Sequence, residues 1–331
     1  MNEDFDMPRL RLDDPHAKPL AILIACLVLL TIVDHGQMRI WTRGTAFSAL
    51  ETFATSGLVA LGLGLTIMIR EFDLSVVGMF SLAGCIAVLT GTESPMTGIA
   101  LAALAGIAAG VVQGLIITRL RLSSVSVTLG GLLVFTGIAY VLTGSRLINY
   151  ENMAVALAVS ARIGEIFSVR SLIAIALFAI VTILFAATRY GPQVVATGSD
   201  RRAATIAGVD TDAIVIVIFA FSGFCAALSG ALLSYSLASA SPSGLSDVIP
   251  PAAAAAILGG VSLGGGVGRP LGIAIGVLSL AVLRAGMNAI GAPPFVNDIE
   301  MGVILLAVAI VDGPYLARIL PRSLRGALAR G

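Results

Sequence analysis

The chain has 331 residues, of which 57% are hydrophobic and only 12% are charged, and its formal net charge is +1. Soluble domains carry about 25% charged residues, so this composition excludes an ordinary water-soluble protein. A bilayer crossing needs about 20 apolar residues, so the chain holds about ten crossings and no large soluble domain. Its charges form no basic patch interleaved with aromatic residues, which argues against nucleic-acid binding.

Continuously apolar runs follow one another along nearly the whole chain. Lipid offers no hydrogen-bond partners, so each run must pair its own backbone groups and is predicted to be a helix. The runs lack the alternation of β-barrel strands, and the first is expected to be a retained helix, not a signal peptide. They lie at residues 19–33, 46–69, 74–91, 96–118, 124–143, 171–187, 213–238, 246–261, 270–290 and 298–312. The predicted fold is an all-α polytopic membrane protein with about ten transmembrane helices.

Lysine and arginine residues predict the orientation of these helices, because cytoplasmic loops are enriched in both. With a cytoplasmic N-terminus, fourteen of the twenty lie on the cytoplasmic side, five lie outside, and Arg284 falls within a helix. The prediction is a cytoplasmic tail at 1–18, a transmembrane domain at 19–312 and a second cytoplasmic tail at 313–331. The connection 144–170 is then external and offers a docking surface.

Small and sulfur-containing residues inside the runs are interpreted as packing residues. Gly106, Gly110 and Gly114 recur at four-residue spacing, which lets helices approach closely. The three cysteines lie far apart in apolar stretches and lack the spacing of metal ligands. Neither histidine lies near another ligand type, so no metal site is predicted.

The segment 188–212 is the most polar internal stretch and is predicted to be cytoplasmic. Gly191-Pro192 is expected to break the helix that leaves the membrane. Ser199 or Asp200 is suited to be the N-cap of a short helix over residues 201–206. The result is a short amphipathic helix at the membrane surface between two spanning helices.

Gly208 is predicted to end this short helix in the left-handed conformation. The small side chains of the helix would let it seat in a groove on a partner, and its arginines would pair with that partner or with anionic membrane lipid. The alternative is an ordinary polar loop whose charges keep it cytoplasmic. The predicted docking residues are Gly198, Ser199, Asp200, Arg201, Arg202, Ala203, Ala204, Ile206, Ala207, Gly208 and Val209.

A glycine-rich stretch precedes the ninth run, with glycines at Gly264, Gly265, Gly266 and Gly268. It lacks the Gly-Lys-Ser/Thr ending and the preceding strand of a phosphate-binding loop. Arg269-Pro270 is instead typical of a turn that leads into a helix with proline at its first position.

Ionisable residues within the runs each cost about 2.5–3.5 kcal/mol on insertion scales and need a reason. Asp73 and Asp312 lie near predicted cytoplasmic helix ends and are interpreted as caps or interfacial charges, Asp73 with Ser75 as an N-cap of the third run. Glu51 lies near an external end, where water reaches it. Arg284 is deepest: it either pairs with an acid such as Glu300 or lines a pathway.

Several stretches in the same order resemble motifs of one transporter family. They are Asp73-Leu74-Ser75-Val76 followed by Gly78, Val127-Thr128-Leu129-Gly130, the segment 188–212, the run 259–268 and the run 302–312. Together they resemble the permeases of ribose-type ABC importers, which carry sugars and related small polar solutes. The chain departs from the family at Arg70-Glu71-Phe72, where the family tends to be glycine-rich and uncharged. It also departs at 123–126, at Gln113 and at Pro250-Pro251, differences that concern the solute more than the transporter class.

The resemblance implies a division of labour among several chains in the bacterial inner membrane. A periplasmic or extracellular solute-binding protein docks outside, and two permease subunits, as a homodimer or heterodimer, form the pathway. Separate ATPase subunits bind Mg-ATP inside, and the segment 188–212 is the coupling helix that receives their movement. No catalytic residue, metal or cofactor is expected in this chain.

The solute implied by the resemblance is a monosaccharide or a similar small polar molecule. Hydroxyl-matching side chains would hold such a solute, and the candidates for the pathway are Gln113, Ser222, Arg284 and Asn288. The sequence does not name the sugar.

Other classes of membrane protein fit the sequence less well. An ion-coupled secondary carrier needs a coupling-ion site at mid-membrane, whereas the acids here are expected near helix ends. It also gives no role to the segment 188–212. An intramembrane enzyme needs a nucleophile or base in place, and neither an H-E-x-x-H motif nor paired aspartates at matched depth occurs.

Overall fold

The computed structural model describes residues 17–35, 37–244, 249–293, 295–297, 299–304 and 306. These ranges contain twelve α-helices and one pair of short antiparallel strands, with further helical turns at 295–297 and 299–304. The helices are α1 (Ala17–Val33), α2 (Arg43–Met68), α3 (Val76–Thr90), α4 (Pro95–Leu120), α5 (Ser124–Thr143), α6 (Met153–Ser160), α7 (Val169–Ala187), α8 (Tyr190–Ser199), α9 (Arg201–Ile206), α10 (Thr211–Ser236), α11 (Ile249–Leu258) and α12 (Pro270–Ala289). The strands are β1 (Ile148–Asn149) and β2 (Ser239–Ala240).

The predicted all-α polytopic architecture is confirmed in its main feature. Each of the first nine apolar runs contains a helix. The helices that are long and apolar enough to cross a membrane are α2, α4, α5, α7, α10 and α12. Three others are apolar but shorter, namely α1, α3 and α11. Asp312, most of the tenth run and nearly all of both predicted tails lie outside the described residues. The total of ten crossings and the cytoplasmic termini therefore stay predictions.

Helix α10 packs against α2, α3 and α4 and buries most of its length. Helix α4 approaches it with Gly106, Gly110 and Gly114, which are all buried. A Cβ atom at Gly114 would lie 2.7 Å from the Cα of Ile216, and one at Gly110 would overlap the carbonyl of Phe219. The predicted packing role of these glycines is confirmed, because larger side chains there would push the two helices apart.

The bundle has two ends, and the long helices α2 and α10 run from one to the other. The start of α2 and the end of α10 meet around Arg170, which lies in the first turn of α7. The end of α2 and the start of α10 meet around Arg201 of α9. Since α6 hydrogen-bonds to the end of α10 through Ser160 and Ser236 at 2.9 Å, we call the first region the α6 end and the second the α9 end.

The connection 144–170 is more ordered than the predicted external loop. It contains β1 and α6, and the hydroxyl of the buried Tyr150 donates to the carbonyl of Gly91 at 2.8 Å. The rings of Tyr150 and Tyr235 lie 4.7 Å apart, and burial raises the pKa of the Tyr150 hydroxyl. The sequence missed α6 because an eight-residue helix carries too few turns for a clear period.

Candidate functional site

The segment 188–212 folds into two consecutive short helices, α8 and α9. Helix α7 ends at Ala187, and Gly191-Pro192 lies in the first turn of α8, where proline is tolerated. The predicted helix break is therefore misplaced by a few residues. Asp200, not Ser199, is the N-cap of α9, because its Oδ1 accepts from the backbone N–H of Ala203 at 2.9 Å. The predicted helix over residues 201–206 is present with those bounds.

Gly208 ends α9 in the left-handed conformation, as predicted, with a φ of 88°. Its N–H donates to the carbonyl of Thr205, and the N–H of Val209 donates to the carbonyl of Ala204, each at 3.0 Å. This pair of bonds is the Schellman arrangement, which satisfies the last carbonyls of the helix. Helix α9 is thus fixed at both ends by its own sequence.

The surface of α9 combines exposed apolar, small and cationic side chains. Ile206 is 81% exposed, and Arg202, Ala203 and Ala207 are also exposed, whereas Ala204 is buried against the bundle. Whether these residues couple to an ATPase stays a prediction.

Arg201 has partners within the chain, which differs from its predicted pairing with a partner protein or lipid. Its Nη1 lies 3.3 Å from Oε1 of Glu71, just after α2, and its Nη2 lies 3.0 Å from Oδ1 of Asp212, at the start of α10. One guanidinium therefore joins three elements. Beside it, the end of α4, α9 and the start of α10 enclose a cleft of about 1050 Å³ whose lining includes Arg121 and Arg202.

A junction of close backbone contacts lies behind α9. The N–H of Gly266 donates to the carbonyl of Met68 at the end of α2, at 2.8 Å. A Cβ atom at Gly198, near the end of α8, would overlap that same carbonyl and lie 2.6 Å from the nitrogen of Gly266. The side chain of Arg70 donates to the carbonyl of Gly264. The glycine-rich stretch therefore serves as a packing turn, and Pro270 stands in the first turn of α12 as predicted.

Residues 70–75, which join α2 to α3 and are called the connecting segment here, enter the core of the bundle. Asp73 is only 1% exposed, so it is not an interfacial charge, but its Oδ1 accepts from the backbone N–H of Ser75 at 3.0 Å, as a capping carboxylate does. Its Oδ1 accepts from the hydroxyl of Ser75 at 2.6 Å, and its Oδ2 accepts from the hydroxyl of Ser222 at 2.7 Å. The hydroxyl of Ser75 also lies 3.0 Å from Oε1 of Gln113. Ser75 is the first residue before α3, but its side chain makes no capping bond.

The candidates for the solute pathway fall into two separate places. Gln113 and Ser222 meet at Asp73 and are 4% and 0% exposed. Arg284 and Asn288 are exposed on α12, where Asn288 accepts from the side chain of Asn297 at 3.2 Å. None of the ion pairs of the described residues includes Arg284, although its charge interacts with the carboxyl of Glu300, the predicted partner, without contact at ion-pair distance. The pathway role of the four residues stays a prediction.

The α6 end holds a buried ion pair that the sequence analysis missed. Nη1 of Arg170 lies 2.7 Å from Oε2 of Glu51 and 3.1 Å from the hydroxyl of Ser236. Thr55 and Ser168 complete the network. Glu51 is therefore an ion-paired residue, and the expectation that it is a solvated residue at a helix end is wrong. The available signal was an acid within the second apolar run and a base at the residue just before the sixth.

Comparison with known proteins gives a consistent result over most of the chain. A family model described as "Branched-chain amino acid transport system / permease component" matches residues 45–309. The ribose import permease protein RbsC of Escherichia coli K12 is 31% identical over 297 residues, which cover 88% of this chain and 92% of that protein. The autoinducer 2 import system permease protein LsrC of Photorhabdus laumondii is 33% identical over 303 residues, with 88% and 87% coverage.

A third relative, the L-arabinose transport system permease protein AraH of Escherichia coli K12, is 31% identical over 260 residues, with 78% and 79% coverage. No solved structure matches the chain. Among the residues that the structure describes, no three His, Cys, Asp or Glu side chains are grouped as a metal ion would require.

Proposed function

Because the chain belongs to the family of permease components of branched-chain amino acid type transport systems, we propose that it forms the pathway for a monosaccharide or similar small polar solute and takes its driving force through α9. Its multi-pass architecture and its ribose, autoinducer 2 and arabinose relatives make it a sugar-type ABC permease of the bacterial inner membrane. The particular solute and the role of α9 are the parts proposed here.

The observation that carries the proposal is the construction of α9. A soluble ATPase can act on a membrane bundle only through a surface feature that is both accessible and firmly attached. Ile206 and Arg202 supply the accessible surface. Asp200 and Gly208 fix the ends of the helix, and Arg201 ties it to the bundle. An apolar contact surrounded by polar and charged residues matches the usual arrangement of a protein–protein interface.

The proposed orientation has the α9 end in the cytoplasm and the α6 end outside. The ATPase subunits then bind Mg-ATP below α9, while the solute-binding protein docks at the α6 end, where Met153 and Leu157 are exposed on α6. A second permease subunit, either a copy of this chain or a related chain, completes the pathway. In this scheme the chain contributes no catalytic group and holds no cofactor.

The proposal is tested by measuring ATPase binding to variants of the full chain in detergent. Ile206→Asp places a charge where the proposed apolar contact forms, and it should weaken ATPase binding at least about thirtyfold if this residue is a hot spot. The matched control is Leu157→Asp, an equally disruptive change to a residue that is 66% exposed at the opposite end. The control should bind the ATPase normally. Unchanged binding and uptake with Ile206→Asp would exclude α9 as the coupling helix.

An ion-coupled secondary transporter is the alternative function, and the burial of Asp73 favours it more than the sequence did. Among the described residues this carboxyl makes no ion pair, and buried acids of this kind occur in proton and ion relays. Uptake into vesicles distinguishes the two functions. An ABC permease requires ATP and tolerates ionophores, whereas an ion-coupled carrier requires the gradient and works without ATP.

A further inference from the structure

The connecting segment has two sets of contacts that lie close together in sequence but join different parts of the molecule. At the α9 end, Glu71 is 15% exposed on its side chain and pairs with Arg201 of α9 at 3.3 Å. In the core, Asp73 accepts from Ser222 of α10 at 2.7 Å. Only one residue separates the two carboxyls along the chain. The segment is therefore attached at once to the surface helix and to the centre of the bundle.

The attachment in the core involves the backbone as well as Asp73. The N–H of Phe72 donates to the hydroxyl of Ser124 at 3.2 Å, and the N–H of Leu74 donates to the hydroxyl of Thr128 at 3.1 Å. Both hydroxyls belong to the first turns of α5. Each backbone donor on either side of Asp73 is thus satisfied by α5, which holds the segment along its length.

The backbone of the connecting segment is also constrained where it leaves α2. Arg70 adopts the left-handed conformation, with a φ of 62°, and the N–H of Glu71 donates to the carbonyl of Thr66 at 3.0 Å. From Glu71 to Asp73 the chain spans at most about 7 Å even when fully extended. A large displacement of the backbone at Glu71 must therefore move the backbone at Asp73 or break one of the contacts that hold it.

We propose that the connecting segment is the mechanical link between α9 and the core, with Glu71 and Asp73 as its two positioning residues. Movement of α9 is carried through the Arg201–Glu71 ion pair to Asp73, and from there to α10 through Ser222. The inference rests on the proposed function, because it assumes that α9 receives the movement of an ATPase. It adds the route by which that movement reaches the helices of the pathway.

The test uses the complete transporter in proteoliposomes, with its ATPase and solute-binding protein, and measures solute molecules imported per ATP hydrolysed. Glu71→Gln removes the charge at constant size, and Ser222→Ala removes the hydrogen bond at the other anchor. Each should lower this ratio about fivefold or more, the usual size of a coupling between sites. The double variant should lose no more than the stronger single variant, because both act on one path.

Two matched controls separate the link from general disturbance. Asp212→Asn breaks the other ion pair of Arg201, which runs directly to α10 and bypasses the segment. Ser279→Ala removes a buried hydroxyl whose one bond to the described part of the chain is to its own helix, at the carbonyl of Ile275. Ser279→Ala should import as many molecules per ATP as the unmodified transporter, and Asp212→Asn should lower the ratio less than Glu71→Gln does.

Several outcomes would overturn the link. One is a normal import ratio for Glu71→Gln in assembled transporters, and another is an equal loss for Asp212→Asn. A third is loss of ATPase binding by Glu71→Gln, since the segment would then only hold α9 in place. These results differ from failure of the proposed function itself, which appears as normal ATPase binding by Ile206→Asp.

Discussion

At the α6 end of the bundle, Arg170 and Glu51 form an ion pair that is largely closed to solvent, whereas at the α9 end the half-exposed Arg201 shares its charge between Glu71 and Asp212. Removing one partner of a buried pair leaves a charge without compensation and costs several kcal/mol. A solvent-exposed pair contributes only about 0–1 kcal/mol, so the half-exposed charge of Arg201 should matter less to stability than that of Arg170. Loss of a charge is therefore expected to lower global stability at the α6 end and to affect mainly coupling at the α9 end.

The largest expected effect is at the α6 end. Arg170→Met keeps the packing of the side chain but leaves Glu51 without its partner, and it should lower the free energy of unfolding by about 3–5 kcal/mol. Thermal or denaturant unfolding of the purified permease measures the loss. The double variant with Glu51→Gln should recover part of it, because the unpaired charge is then gone.

Arg43→Ala is the control for that variant, since Arg43 and Glu165 form an ion pair at the same end with side chains that are 73% and 58% exposed. It should change the free energy of unfolding by at most about 1 kcal/mol. If both arginine variants unfolded at the same midpoint, the contrast between buried and exposed pairs would not hold.

The next largest effect is expected in the glycine junction behind α9. Gly198→Ala pushes a methyl group into the carbonyl of Met68 and the nitrogen of Gly266, which are backbone atoms and cannot rotate away. The expected destabilisation is about 1–3 kcal/mol, measured by the same unfolding experiment. Gly137→Ala is the matched control, because a Cβ at Gly137 meets nothing within 4 Å and alanine is the better helix former. A stable Gly198→Ala variant would mean that this junction already moves apart at little cost.

Features of the α9 end that lie close together in sequence were predictable. The N-cap, the helix over residues 201–206 and the left-handed Gly208 fall within one short stretch, and each has a local chemical cause. The packing of Gly106, Gly110 and Gly114 was predictable for the same reason, because four-residue spacing places them on one helix face.

Contacts between distant polar residues were not predictable from one sequence. Glu51 and Asp73 were expected at wet or capping positions, yet their partners Arg170 and Ser222 lie 119 and 149 residues away along the chain. Apolar periodicity reports which residues avoid water, but it carries no information on which polar pairs meet inside the bundle. For that reason the two anchors of the connecting segment emerge only from the fold.

The smallest effect separates local from global stability at the α9 end. Asp200→Ala removes the side chain that caps α9 at the N–H of Ala203, and loss of such a cap costs about 1 kcal/mol. Because α9 is a six-residue helix at the surface, the cost should appear as easier local opening and not as a lower unfolding midpoint. Amide exchange over residues 201–206 should rise about fivefold, while Asp200→Asn, which keeps a capping oxygen, should exchange normally. A fall in the global midpoint with Asp200→Ala would instead show that α9 is part of the rigid bundle, and the two ends would then differ only in exposure.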